Sequence, residues 1–212
     1  MNVSVHIILA HYILNQGTPE QKAKWLPKLA SGEMIGAIAM TEPGAGSDLQ
    51  GIRTTARLEG DHYVVDGSKT FISNGYLADL IVVVVRTSDV PGAKGISLLL
   101  VDSKTEGFKV GKKLHKLGQK GNDTCELFFE NMKVPKENLL GGDPGRGFAQ
   151  LMTELPYERL IIGVYAVASI ERAVRLTVEY TRERKAFGKA LIELQNTRFQ
   201  LAEAKTSAVV AR

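Results

Sequence analysis

Between Ile35 and Phe129 the sequence is cut into short apolar runs that admit little but strands. The runs are Ile35–Met40, Thr54–Leu58, Tyr63–Val65, Thr70–Ser73, Leu80–Arg86, Ile96–Val101 and Cys125–Phe129. They are rich in Val, Ile and Phe, and Gly, Asn and Asp punctuate them at close intervals. Strands spaced so closely leave no room for intervening helices, so the pattern predicts an antiparallel sandwich or barrel and excludes a Rossmann domain. Asp66-Gly67, between Tyr63-Val64-Val65 and Lys69-Thr70-Phe71, predicts a tight turn.

Helical patterns flank this region. Val3 to Leu14 is apolar, but it lacks a basic flank and is interrupted by His6 and His11, so it reads as a core helix rather than a secretory signal. Thr18-Pro19-Glu20 is a helix start, Trp25, Leu26 and Leu29 recur at helical spacing, and Ser31-Gly32 is a stop. After Gly145 the pattern is helical again. Pro156 predicts a break, with one helix ending near Leu155 and a long one running to about Lys185. Leu160, Ile161, Val164 and Val167 predict a core face on the long helix. Gly188 marks a loop, and Gln195 to Arg212 reads as a further helix. The resulting class is α+β, with helices over 1–34, a β domain over 35–143 and helices over 144–212. Two long helices cannot bury their apolar faces where a bundle takes four, so the chain is expected to be a portion of a longer protein.

Composition narrows the functional classes. A hydrophobic fraction of 44% and a charged fraction of 24% are ordinary for a globular chain of 212 residues. No unbroken apolar stretch reaches the ~18 residues of a membrane helix. Cys125 stands alone, which excludes an internal disulfide and fits a reducing compartment. His6, His11, His62 and His115 show no metal-ligand spacing, so no metal site is expected. Basic patches interleaved with aromatics are absent, which argues against nucleic acid. His115 lies among Lys112, Lys113 and Lys116; a phosphate contact and a lysine-protected sheet edge explain that cluster equally well.

The segment Met40-Thr41-Glu42-Pro43-Gly44-Ala45-Gly46-Ser47-Asp48 follows a strand and packs small residues around two glycines. Glycines let a backbone approach a ligand closely, and successive N–H groups can cradle an anion, with Ser47 adding a hydroxyl donor. A plain glycine-rich turn fits the composition as well. No Gly-Lys-Ser/Thr follows, so this is not the phosphate loop of nucleotidases.

Thr41 to Asp48 resembles the flavin-binding segment of acyl-CoA dehydrogenases, and three further segments match that family in order. Phe71-Ile72-Ser73-Asn74-Gly75 resembles its second flavin segment. Val134-Pro135-Lys136-Glu137-Asn138-Leu139-Leu140-Gly141 resembles its hinge into the helical domain. Glu183-Arg184-Lys185-Ala186-Phe187-Gly188-Lys189, followed by Gln195, resembles the segment that reaches the FAD of a neighbouring subunit. The long-chain branch is the nearest, on Glu154 to Leu160, Asp48 to Gly51 and Lys113 to Gly118. The resemblance implies a remnant of the N-terminal helical domain, a β-sandwich or barrel middle domain and part of a C-terminal four-helix bundle.

The resemblance also implies roles. Ile38, Ala39, Met40, Thr41, Glu42, Pro43, Gly44, Ala45, Gly46 and Ser47 would line FAD, with Phe71, Ile72 and Ser73 packed against its ring. Arg184 would pair with FAD phosphate across a subunit boundary, a task suited to its planar fork, and Gln195 would add a hydrogen bond. Glu158 falls where the long-chain and isovaleryl branches place the base; on residue type alone it reads as a first-turn glutamate favoured by the helix dipole. Ser47, Pro156, Tyr157, Glu158 and Arg159 would meet acyl-CoA, with Arg86 and Thr87 holding its nucleotide. The implied activity is dehydrogenation of a long-chain acyl-CoA, with electron-transfer flavoprotein as partner and a homotetramer at full length. The implied compartment is the mitochondrial matrix or the bacterial cytoplasm. An isovaleryl-type enzyme and a truncated, non-catalytic binding module are the alternatives.

Overall fold

The computed structural model describes residues 2–212. The first helix, α1 (Asn2–Gln16), buries Leu9, Tyr12 and Ile13 completely. The second, α2 (Pro19–Ser31), starts as its sequence dictates. The Thr18 hydroxyl accepts from the Gln21 N–H while the Gln21 side chain accepts from the Thr18 N–H, so the orphan donors of the first turn are satisfied. Gly32 ends the helix in the left-handed conformation (φ 78°), where glycine costs least. The Gln21 amide also donates to the carbonyls of Glu137 and Leu139, tying α2 to the hinge segment.

Seven strands follow: β1 (Gly36–Ala39), β2 (Thr55–Glu59), β3 (His62–Ser73), β4 (Leu80–Arg86), β5 (Ile96–Asp102), β6 (Phe108–Lys113) and β7 (Thr124–Pro135). Their order is β1-β4-β2-β3-β7-β6, with β5 on β4. The neighbours in sequence β2–β3, β4–β5 and β6–β7 pair antiparallel as the spacing predicts, and β3 pairs antiparallel with the distant β7. However, β1 lies parallel to β4, and β2 meets β4 parallel at Thr55–Arg86, so the sheet is mixed. A parallel pair needs a long crossover, and residues 40–79 between β1 and β4 supply it. The core runs across the sheet: residues Leu80 to Val85 of β4 and Ile96 to Val101 of β5 are all buried, and Ala37 and Ala39 of β1, Val65 and Ile72 of β3 and Leu127, Phe129 and Met132 of β7 join them.

Two local expectations are corrected. Asp66-Gly67 is not a turn: β3 runs straight through it, with a bulge between Val65 and Gly67. A side chain at Gly67 would sit 2.6 Å from the Thr54 hydroxyl, so the glycine serves close approach between backbones at φ 147°. The two-residue turn falls at Gly60-Asp61, with Gly60 at φ 65° in the first central position. Strand β6 has no counterpart among the predicted runs, because three lysines and Gly111 obscure its pattern.

Helix α3 (Gly147–Glu183) passes through Pro156 rather than breaking there. The proline removes one backbone bond, a cost of about 3 kcal/mol that the rest of a 37-residue helix outweighs. A small hairpin of β8 (Lys185–Ala186) and β9 (Lys189–Ala190) turns at Phe187-Gly188, and α4 (Gln195–Ala211) follows. The chain divides into two compact units, Met1–Glu154 and Leu155–Arg212. The core face predicted for α3 does not form within the second unit, where Leu160 and Val164 are exposed and Ile161 and Val167 only half-buried.

Candidate functional site

The glycine segment leaves β1 and folds back through paired backbone bonds between Glu42 and Ala45. This turns Pro43, Gly44, Gly46 and Ser47 outward and Glu42 and Ala45 inward. Neither Gly44 nor Gly46 is held in the left-handed region, and a side chain on either would meet nothing within 4 Å. Nothing else in the chain demands glycine at these two positions. What they supply is bare backbone facing open space, as a closely approaching ligand requires.

Strand β3 brings the second segment alongside. The Thr70 N–H donates to the Thr41 carbonyl at 2.8 Å, beside a second bulge between Lys69 and Ile72. At this bulge Phe71 has φ 60° and is 65% exposed. A bulge re-aims a side chain, and an aromatic held at positive φ while facing solvent is an expensive arrangement for packing alone. Ile72 points instead into the core and Ser73 is half-buried. On β1, Ala39 is likewise core, whereas Ile38 and Met40 keep some exposure.

A buried ion pair lies beneath the turn. Lys69 is wholly inaccessible, and its Nζ donates to Glu42 Oε1 at 2.8 Å and to the Met40 carbonyl at 3.0 Å. The Glu42 carboxylate also accepts from the N–H groups of Arg53 (2.6 Å) and Thr54 (3.0 Å). Burial pushes the Glu42 carboxyl up, but Lys69 and these donors outweigh it and hold it below the usual carboxylate range. For Lys69 burial wins: it drives the ammonium down to about 8, although Glu42 pulls the other way. Sequence reading placed Glu42 against the ligand and passed over Lys69, since a lysine between two predicted runs carries no mark of burial.

The other predicted residues are placed as follows. The Arg86 guanidinium is engaged by the backbone, donating to the carbonyls of Val90 (3.0 Å) and Gln50 (2.8 Å). It thereby braces the segment that follows the glycine turn. Thr87 shares a hydrogen bond of 2.6 Å with Ser97. His115 lines a cleft of about 430 Å³ with Lys113, Lys116, Lys120 and Leu77. Among the described residues no cluster of His, Cys, Asp or Glu could hold a metal ion, and no helix is long and apolar enough to cross a membrane.

Three profiles match in order: "Acyl-CoA dehydrogenase, N-terminal domain" over residues 1–33, "middle domain" over 37–132 and "C-terminal domain" over 145–212. The chain belongs to the acyl-CoA dehydrogenase family. It is 49% identical to the mitochondrial long-chain specific acyl-CoA dehydrogenase of Rattus norvegicus, over 97% of this chain and 48% of that protein. It is 42% identical to the short-chain specific enzyme of Clostridium acetobutylicum, over 99% of this chain and 55% of that one. The crystal structure of an acyl-CoA dehydrogenase from Geobacillus kaustophilus superposes with a TM-score of 0.95 at 50% identity, covering 99% of this chain and 56% of that one. The chain spans about half the length of the curated relatives it matches.

Within the second unit of this acyl-CoA dehydrogenase chain, the remaining predicted residues all lie on α3, its hairpin or α4. Glu158 and Tyr157 are half-buried, and Pro156 and Arg159 are exposed. Arg184 is exposed, while its backbone carbonyl accepts from Leu191 (2.9 Å) to close the hairpin. Gln195 opens α4, also exposed. Phe187, at the hairpin tip, has φ 53° and is 92% exposed, a second strained aromatic that sequence reading quoted without assigning it a contact. Glu154 lies one turn before Glu158. It is buried in the first unit, where it accepts from Asn15 and Gln16 and meets His11 at 3.0 Å, a structural role.

Proposed function

We propose that this chain carries the flavin-binding surface and the catalytic base of an FAD-dependent acyl-CoA dehydrogenase acting on a long acyl chain. The observation that carries the reading is the Thr70–Thr41 hydrogen bond, which seats the open glycine turn beside the outward, strained Phe71. The residues fit FAD: bare backbone at Gly44 and Gly46 and the exposed Ser47 suit its pyrophosphate, and Phe71 offers a flat apolar face to its ring. Domain limits of 1–34, 35–143 and 144–212 follow from the same reading.

FAD, when bound, supplies the two-electron acceptor that takes hydride from the substrate Cβ. The chain's own task is proton removal and positioning. The Glu158 carboxylate takes the Cα proton as general base, and the electrons of that C–H bond become the Cα=Cβ bond of the trans-2-enoyl thioester. Arg159 orders the groups around that carboxylate, Tyr157 and Pro156 line the acyl path, and Ser47 touches both ligands. Arg86 and Thr87 hold the CoA nucleotide by way of the loops they brace. Arg184 and Gln195 reach the FAD of a neighbouring copy in a homotetramer, and electrons leave to electron-transfer flavoprotein. The compartment is the mitochondrial matrix in a eukaryote and the cytoplasm in a bacterium.

Glu158→Gln in the protein expressed from its whole reading frame tests the base. Acyl-CoA should still bind, while flavin bleaching slows by about 10²–10⁴-fold, the usual worth of a general base. Undiminished bleaching would sink the assignment. An isovaleryl-type specificity is the competitor, because that branch shares the position of Glu158. Bleaching by palmitoyl-CoA but not isovaleryl-CoA decides for the long-chain reading, and the reverse decides against it. The exposed apolar residues of α3 and α4 favour a third reading, a non-catalytic assembly module. A soluble complex without flavin, seen by light scattering and absorbance, would support that one.

A further inference from the structure

Lys69 has no part in the chemistry above, yet it is among the largest wholly buried side chains of the molecule. A buried ammonium is costly, so its position needs a reason. Its three methylene-borne donors reach two points of the glycine turn, the Met40 carbonyl at its entry and the Glu42 carboxylate at its inward corner. One residue later the Thr70 N–H takes the Thr41 carbonyl, and Phe71 follows at the bulge. Carboxylate and ammonium therefore lie on the inner side of the same turn whose outer side is open backbone.

We propose that Lys69 is a positioning residue for the cofactor: through Met40 and Glu42 it locks the 41–47 turn against the Phe71 strand and thereby sets FAD affinity. This rests on the reading of those two segments as the flavin surface. The lock is charge-assisted, and such bonds are roughly twice as strong as neutral ones, so losing the charge loosens the turn. Glu42 is the one charged group acting on Lys69 among the described residues. Across the ladder β7 places the uncharged Leu127 opposite it, and its chain neighbours Ser68 and Thr70 bond to the uncharged Thr54 and Thr41. Cys125, on the β7 strand that pairs with β3, is pushed up to about 11 by burial and by Asp123 and Glu126, and so does not titrate with Lys69.

The test uses the protein expressed from its whole reading frame, stripped of flavin and titrated with FAD between pH 6.5 and 9.5. Failure of the unaltered protein to bind FAD at any pH would refute the underlying reading and leave Lys69 without this role. If it binds, affinity should fall at least about threefold as pH rises through about 8, where Lys69 loses its proton. In Lys69→Met the affinity should be at least about tenfold weaker at pH 7 and independent of pH, with flavin reduction at saturating FAD within twofold of normal. Leu127→Ala serves as the control for lost packing, since it truncates the residue opposite Lys69 in the ladder without touching the turn; it should keep the affinity at pH 7. Equal weakening in Leu127→Ala, or unchanged affinity in Lys69→Met, would overturn the proposal. Should Lys69→Met not fold, Glu42→Gln removes the other half of the lock, and an FAD affinity within twofold of normal in that variant overturns the proposal.

Discussion

The sheet and the helical unit are built on opposite principles. In the sheet, every residue of β4 from Leu80 to Val85 and of β5 from Ile96 to Val101 is buried; the two strands pair antiparallel along their whole length, and β1 adds a parallel ladder on the other side of β4. From Leu155 to Arg212 only Thr181 and Ala208 are buried, while Leu160, Ile162, Val164, Tyr180, Phe199 and Val210 are each at least 59% exposed. Burial of apolar surface is the main stabilising term of a fold, at roughly 25 cal/mol per Å², so residues 35–143 gain far more from it than 155–212 do within their own unit. The residues proposed for chemistry follow the same division. Those on the sheet side are pinned from beneath by Glu42, Lys69 and Arg86, whereas Glu158, Arg184 and Gln195 ride on helices whose faces are open within their own unit.

The largest effect that could break this comparison is a pair of matched truncations. Leu99→Ala, at a wholly buried site, should cost about 2–5 kcal/mol by loss of transfer energy and creation of a cavity. Leu160→Ala, at a site 62% exposed, should stay within about 0.5 kcal/mol in the chain of residues 1–212. Urea denaturation of both variants measures the two numbers. Equal costs would mean that Leu160 is buried in solution and that the helical face is covered after all.

Gly67→Ala sharpens the comparison within the sheet. The new methyl would fall 2.6 Å from the Thr54 hydroxyl and 2.7 Å from its Cα, at a backbone φ of 147°. Backbone cannot yield as a flexible side-chain end would, so a loss of about 1–3 kcal/mol is expected. Gly163→Ala on α3, where the methyl meets nothing within 4 Å, should instead stabilise by about 0.5–1 kcal/mol through helix propensity. Thermal unfolding followed by circular dichroism distinguishes the signs.

What could be read from the sequence tracks these same physical differences. Strands such as Leu80–Arg86 were legible because burial on both faces forces an unbroken apolar run. The open glycine turn was legible because bare backbone leaves a residue pattern, Gly44 and Gly46 around Ala45. Asp66-Gly67 was misread because a glycine needed for contact with Thr54 looks, in one dimension, like a glycine needed for a turn. Strand β6 was missed because its edge is defended by Lys109, Lys112 and Lys113, which erase the alternation. Pro156 was read locally, while the helix around it is set by the 37 residues of α3 together. The Lys69–Glu42 pair was invisible because its partners are 27 residues apart in sequence and meet only once β1 and β3 share a sheet.

Acid should separate the two regions next. Glu42 has its carboxyl held below the usual range when folded, so its contribution is fully present above the unfolded value of 4.5. It is lost as pH falls through the lower, folded value, because the unfolded chain then binds the proton first. No carboxylate from Leu155 to Arg212 is buried, so this acid-sensitive step belongs to the sheet. Measured by urea denaturation from pH 6 down to pH 3, Glu42→Gln should start less stable and lose less on acidification. A parallel decline of the two proteins would show that Glu42 carries none of the acid sensitivity.

The smallest effect concerns how α2 is anchored beside the sheet. Thr18→Ala removes the hydroxyl that accepts the Gln21 N–H and should cost about 1 kcal/mol, the usual worth of an N-cap. Gln21 would still hold the Thr18 N–H and the carbonyls of Glu137 and Leu139, so the helix should fray at its first turn without leaving its place. Amide hydrogen exchange reads this directly: protection should fall at Glu20 and Gln21 and stay unchanged at Leu139 and Leu140. A concerted loss of protection at both would mean that the cap and the hinge segment unfold as one unit, and that the sheet's independence extends to the helix packed on it.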